Sequence, residues 1–152
     1  MALQTTYTRY MTEGAAGAPA TSHTWDGDTW VAKASAEIPF GYAVSKDSSG
    51  DNICVKGGNG FVGVAVRDLT LVHDTPDQYE EYDNVVAMVR GDIWVVVEDA
   101  VTAYAVVKYN ATTGQLGSDG GVTIAGAYWR TSASAGGLAI VRLATGEIDT
   151  TT

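Results

Sequence analysis

No stretch of this chain returns its apolar residues at helical spacing over ten or more positions. The β-branched residues come instead in short runs, each closed by a turn cluster. Phe61-Val62-Gly63-Val64-Ala65-Val66 lies between the turn Gly57-Gly58-Asn59-Gly60 and Arg67-Asp68. Ile53-Cys54-Val55-Lys56 follows a polar turn over residues 45–52, and Tyr42-Ala43-Val44 precedes that turn. The pattern recurs at 106–109, 124–130 and 138–143, with turns at 110–114 and 131–137. Segments of this kind fit a sandwich or barrel. The expected fold is therefore all-β: a small antiparallel β-barrel or β-sandwich of about eight short strands.

Two runs, 85–90 and 93–97, flank Gly91-Asp92 and predict a hairpin turning there. The second run is apolar on both faces, which places Trp94 in the core. Residues 98–105 have the composition of a short helical turn, weakened by Val101 and Thr102.

Residues 1–37 differ from the rest. They are rich in Thr, Ala and Gly, and space Tyr7, Tyr10, Trp25 and Trp30 among polar neighbours. Disordered tails are usually poor in aromatics. The segment reads as an extended N-terminal arm that gains burial when laid on a partner. Residues 38–152 are then the β domain.

Composition narrows the function. In 152 residues, 18 Asp+Glu against 9 Lys+Arg give a net charge of −9. Without a basic stripe to neutralise phosphates, no nucleic acid is expected as a partner. Binding to an anionic membrane is disfavoured by the same sign. Met1-Ala2-Leu3-Gln4-Thr5-Thr6-Tyr7 has neither a basic n-region nor an apolar h-region, and no run approaches the roughly 18 apolar residues of a membrane span. A cytosol-like origin is expected. Asn110-Ala111-Thr112 matches a glycosylation sequon that carries little weight without a secretion signal.

The motifs for chemistry are incomplete. Gly58-Asn59-Gly60-Phe61-Val62-Gly63 matches a dinucleotide fingerprint as a string, but a strand follows where the phosphate site needs a helix N-terminus. The acidic loop over 73–83 (His73, Asp74, Asp77, Glu80, Glu81, Asp83) lacks the ligand spacing and glycine of a calcium loop, which leaves at most a weak calcium site. Asp26-Gly27-Asp28 and residues 47–51 are equally incomplete. His23 and His73 cannot make a zinc site without a cysteine pair, and the lone Cys54 reads as a buried apolar thiol. No nucleophile elbow is present. No catalytic residue, metal or cofactor is expected.

The ordered runs resemble the phage capsid cement, or head decoration, proteins. Ala36-Glu37-Ile38-Pro39-Phe40-Gly41-Tyr42-Ala43-Val44 resembles the start of that family's β domain. Gly60-Phe61-Val62-Gly63-Val64-Ala65-Val66-Arg67-Asp68 resembles its F-x-G-V-A strand, and residues 86–94 its strand–Gly–strand hairpin. Residues 106–116 resemble its strand and Thr-Gly turn, and Ala139-Ile140-Val141-Arg142-Leu143 its closing strand. Tyr104-Ala105 departs from the Gly-Asp the family often has before the strand at 106, so a different turn is expected there.

The resemblance implies a non-enzymatic structural protein, a homotrimer, whose partner is the major capsid protein. It implies a location on the virion, at the capsid exterior, after assembly in the host cytoplasm. The candidate interface residues are Tyr7, Arg9, Tyr10, Trp25, Trp30, Trp129 and Arg130. The competing expectation is a carbohydrate-binding or adhesin module that uses Trp25, Trp30 and Trp129 as stacking platforms. A small hydrolase built from scattered Asp, Ser and His is a third, supported by no motif.

Overall fold

The computed structural model describes residues 14–20, 25–73 and 75–143. Among these residues there are eleven strands and no helix. The strands are β1 (Asp26–Ala32), β2 (Ile38–Pro39), β3 (Ala43–Lys46), β4 (Ile53–Lys56), β5 (Phe61–Ala65), β6 (Gln78–Tyr79), β7 (Asn84–Val96), β8 (Val106–Tyr109), β9 (Leu116–Gly117), β10 (Val122–Trp129) and β11 (Leu138–Leu143).

Five strands close on themselves. β1 runs parallel to β4, and antiparallel pairs then lead through β3 and β5 to β7, which pairs back with β1. Closure into this small barrel removes the free strand edges. β7 then runs beyond the barrel and founds a second sheet, in the order β7, β11, β10, β8, β9. β2 and β6 form a separate two-stranded ribbon. The all-β expectation holds, with three two-residue strands beyond the expected eight and one parallel pairing.

Successive residues of a strand point to opposite faces. In β3 and β5, Ala43 and Val64 belong to the larger core, while their neighbours Val44 and Ala65 belong to the smaller one. The barrel wall is thus buried on both sides here, which is why all five residues of β5 are apolar or glycine and buried. β11 alternates half-buried and buried residues, as a sheet covered on one face requires. Cys54 is fully buried in the smaller core, and burial pushes its thiol up to about 12.

The hairpin expected at Gly91-Asp92 does not form. β7 passes straight through both residues, pairing with β1 up to Arg90 and with β11 from Gly91 onward. Gly91 has φ 132°, and a Cβ there would lie 2.7 Å from Trp25 Cβ. The glycine bends one strand between two sheets while Trp25 packs over the bend. A β-branched run on each side of a glycine is compatible with either outcome, so only the long-range pairing decides.

The boundary drawn at residue 37 also shifts. β1 lies inside the expected arm yet closes the barrel, because its partners β4 and β7 are distant in sequence. Upstream, residues 14–20 lie along the second half of β7. Trp94 N donates to Ala18 O, Gly17 N to Trp94 O and Ala20 N to Asp92 O. Arg67 holds the same segment, its Nε donating to Ala16 O at 3.0 Å. Trp94 is not core: it is half-buried on the outward face, with Gly14 against its indole. Residues 98–105 form no helix. Val101 bridges to Ala133, and Tyr104 takes a left-handed φ of 68° that ends any right-handed turn.

Gly91→Val should lower unfolding stability by about 2–4 kcal/mol, because the positive φ is closed to a β-branched residue and the added carbons overpack Trp25. Urea denaturation followed by tryptophan fluorescence measures this.

Candidate interaction surface

Asp92 of β7, Arg142 of β11, Tyr128 of β10 and Val106 of β8 are register partners across four adjacent strands. Residues directly opposite one another share a face. The next row, Ile93, Val141 and Trp129, is fully buried in the larger core. The row containing Asp92 therefore faces outward.

Asp92 is nonetheless buried, because two arginines close over it. Arg142 donates from Nε to Oδ1 at 2.8 Å and from NH2 to Oδ2 at 3.0 Å. Arg130 donates from NH1 to Oδ2 at 2.8 Å. Burial by itself would raise the Asp92 carboxyl, but the hydrogen bonds and charges of Arg142 and Arg130 outweigh it and hold the group below the usual carboxylate range. Two guanidiniums meet one carboxylate, so this patch is cationic on an acidic chain. Both arginine side chains stay about two-fifths exposed.

Aromatic surface continues the row. Arg142 donates from NH1 to Tyr128 Oη at 3.0 Å and lies over the Tyr128 ring. Tyr104 stacks on Tyr128, with ring centroids 6.1 Å apart, and is 80% exposed. Val106 beside it is also exposed. A left-handed backbone costs a non-glycine residue about 1–2 kcal/mol, and Tyr104 carries that cost while burying little of its ring within the chain.

A second surface lies at the start of β7, in the segment 67–83. Leu69 and Val72 are 83% and 93% exposed. They border a cavity of about 250 Å³ lined by Phe40, Leu71, Pro76 and Gln78 among others. Tyr82 is 68% exposed and, like Tyr104, sits at positive φ. Glu80, Glu81 and Asp83 flank it in the chain. Arg67 pairs with Asp77 at 2.7 Å, and His73 lies 2.6 Å from Asp83 and 3.3 Å from Glu80. Arg67 offsets Asp77, while Glu80, Glu81 and Asp83 add further carboxylates, so the surface stays acidic. Among the described residues, no group of three or more His, Cys, Asp or Glu side chains could hold a metal ion.

The interface residues expected from sequence come together only in part. Tyr7, Arg9 and Tyr10 lie outside the described residues. Trp25 is half-buried over the Gly91 bend, and Trp30 packs against the smaller core. Trp129 is wholly buried, which removes it as a surface contact or a sugar platform. It reads like a surface residue beside Arg130 only until the strand register turns it inward. Arg130 does reach the surface, at the Asp92 cluster. Asp92, Tyr104, Tyr128 and Arg142 are not among the contacts expected from sequence. Their one sequence signal is the paired alternation of 124–130 and 138–143, which sets Tyr128 and Arg142 on a common face.

Comparison with known proteins is consistent with this architecture. A family model described as "Structural cement protein (E217 gp24/Pam3 gp6)" matches residues 3–144. No curated protein matches the chain. Among solved structures, a chain from "The capsid of Myoviridae Phage XM1" has the same fold, with a TM-score of 0.68 and 17% identity. The match covers 97% of this chain and 100% of that one.

Asp92→Asn should lower stability by about 2–3 kcal/mol at neutral pH, because two arginines lose their buried acceptor charge. The folded-state carboxyl is depressed, so its contribution is present above the ordinary carboxylate pKa of about 4 and is lost as pH falls through the folded value. Chemical unfolding at pH 7, 5, 4 and 3 should therefore show the parent chain converging on the variant as acid is added.

Proposed function

The chain belongs to the structural cement protein family of phages, matched over residues 3–144, and from that membership we propose that it binds the outer surface of a phage head and clamps neighbouring capsomers. Its partner is the major capsid protein, and the working unit is a homotrimer. In this role the chain performs no catalysis and takes no cofactor. Clamping needs many contacts acting together rather than one deep pocket, since linked weak contacts raise overall avidity by orders of magnitude.

The family match carries the reading. The build of the chain supports it. The barrel is closed and stapled to a second sheet by β7, which makes a stiff spacer. Its outward features are aromatic, charged and loop-borne, the kinds of group that dock on protein. Residues 14–20 run along the β7 edge, and Tyr7, Arg9 and Tyr10, which precede them in the chain, are the proposed capsid contacts. The carbohydrate alternative loses much of its motive with Trp129 in the core.

Co-sedimentation with purified heads tests the proposal. The full chain should pellet with expanded heads and saturate at a fixed ratio to the major capsid protein. A chain lacking residues 1–13 keeps every described strand, β1 included, and should bind heads at least tenfold more weakly. Full-length chain that stays in the supernatant with every head form would sink the reading.

A further inference from the structure

Tyr82 and Tyr104 share an unusual combination. Each is a large aromatic at positive φ, where glycine or asparagine is the unstrained choice, and each shows most of its ring to solvent. Neither ring is needed to fill a core. Their surroundings are opposite in sign: Tyr104 stands by the Arg130–Arg142 pair, while Tyr82 stands among Glu80, Glu81 and Asp83.

We propose that these two surfaces are the halves of one contact between copies of this chain, the Tyr82 surface of one subunit seated on the Tyr104 surface of the next. This rests on the oligomeric part of the reading above and specifies it. Charge decides the pairing. Two cationic patches facing each other would set one net positive excess against another, and two acidic surfaces would set two groups of excess carboxylates together. Like-charge juxtaposition of this kind is strongly unfavourable across an interface. The mixed pairing sets opposite charges together and buries apolar groups on both sides: Leu69 and Val72 from one subunit, Val106 and the Tyr104–Tyr128 stack from the other.

The two surfaces cannot meet within one subunit. From Asp83 to Asp92 along β7 is roughly 30 Å at about 3.3 Å per residue. A contact between two different surfaces of the same chain is heterologous, and when its rotation closes it makes a ring. A trimer is the smallest such ring with a threefold axis.

The test uses the full chain in sedimentation velocity. Tyr82→Gly and Tyr104→Gly each remove an aromatic and relieve a left-handed backbone, so both variants should fold at least as stably as the parent. Each variant alone should self-associate at least tenfold more weakly than the parent chain. An equimolar mixture should form one-to-one pairs, since Tyr82→Gly subunits keep an intact cationic face and Tyr104→Gly subunits an intact acidic one. Raising the salt concentration should weaken assembly of the parent. A parent chain that stays monomeric at all concentrations, variants that assemble like the parent, or a mixture that stays monomeric would each overturn the contact. Head co-sedimentation separates the two proposals. Variants that bind heads as monomers leave the capsid reading standing and assign the contact, whereas a parent that assembles but never binds heads removes the capsid reading alone.

Discussion

β7 is the member on which the rest of the structure hangs. A single run of thirteen residues serves as a stave of the barrel and as the founding strand of the second sheet. A strand can do both only if it bends without losing its hydrogen bonds, and Gly91 supplies the bend at a φ that other residues rarely adopt. Trp25 packs over it, so the segment just before β1 is tied to the bend as well. One bent strand therefore fixes the relative placement of both sheets and shapes the larger core between them.

The next residue, Asp92, uses the same position differently. It lies on the outward face yet is withdrawn from water by Arg130 and Arg142. A buried carboxylate is costly unless its acceptor sites are filled, and here three charge-assisted bonds fill them. The arrangement leaves an excess positive charge at the surface, extended by Tyr128 and Tyr104 into an aromatic ledge. At the other end of β7, Arg67 pairs with Asp77, one of several carboxylates in the acidic segment. A stiff body that separates two unlike surfaces suits a protein whose work is to join others.

Much of this was legible in the residues alone. Short β-branched runs with no helical period require an all-β fold, because each run can bury apolar groups only as a half-covered or fully covered strand. The buried character of Cys54 follows from its apolar neighbours. The ordered set of strand motifs pointed to the cement family, and a match over residues 3–144 places the chain there.

What the sequence could not decide was set by pairing between distant segments. Val85 to Val97 reads as a hairpin turning at Gly91-Asp92 but folds as one bent strand, because β1 and β11 lie beside it. β1 looked like part of a loose arm because its local pattern is weak; its place in the barrel comes from partners more than twenty residues away. Trp94 and Trp129 exchanged their expected positions because a one-residue change in register reverses the face that a side chain takes. Local propensity fixes which segments extend, but only the closed set of pairings fixes which side of each segment meets water.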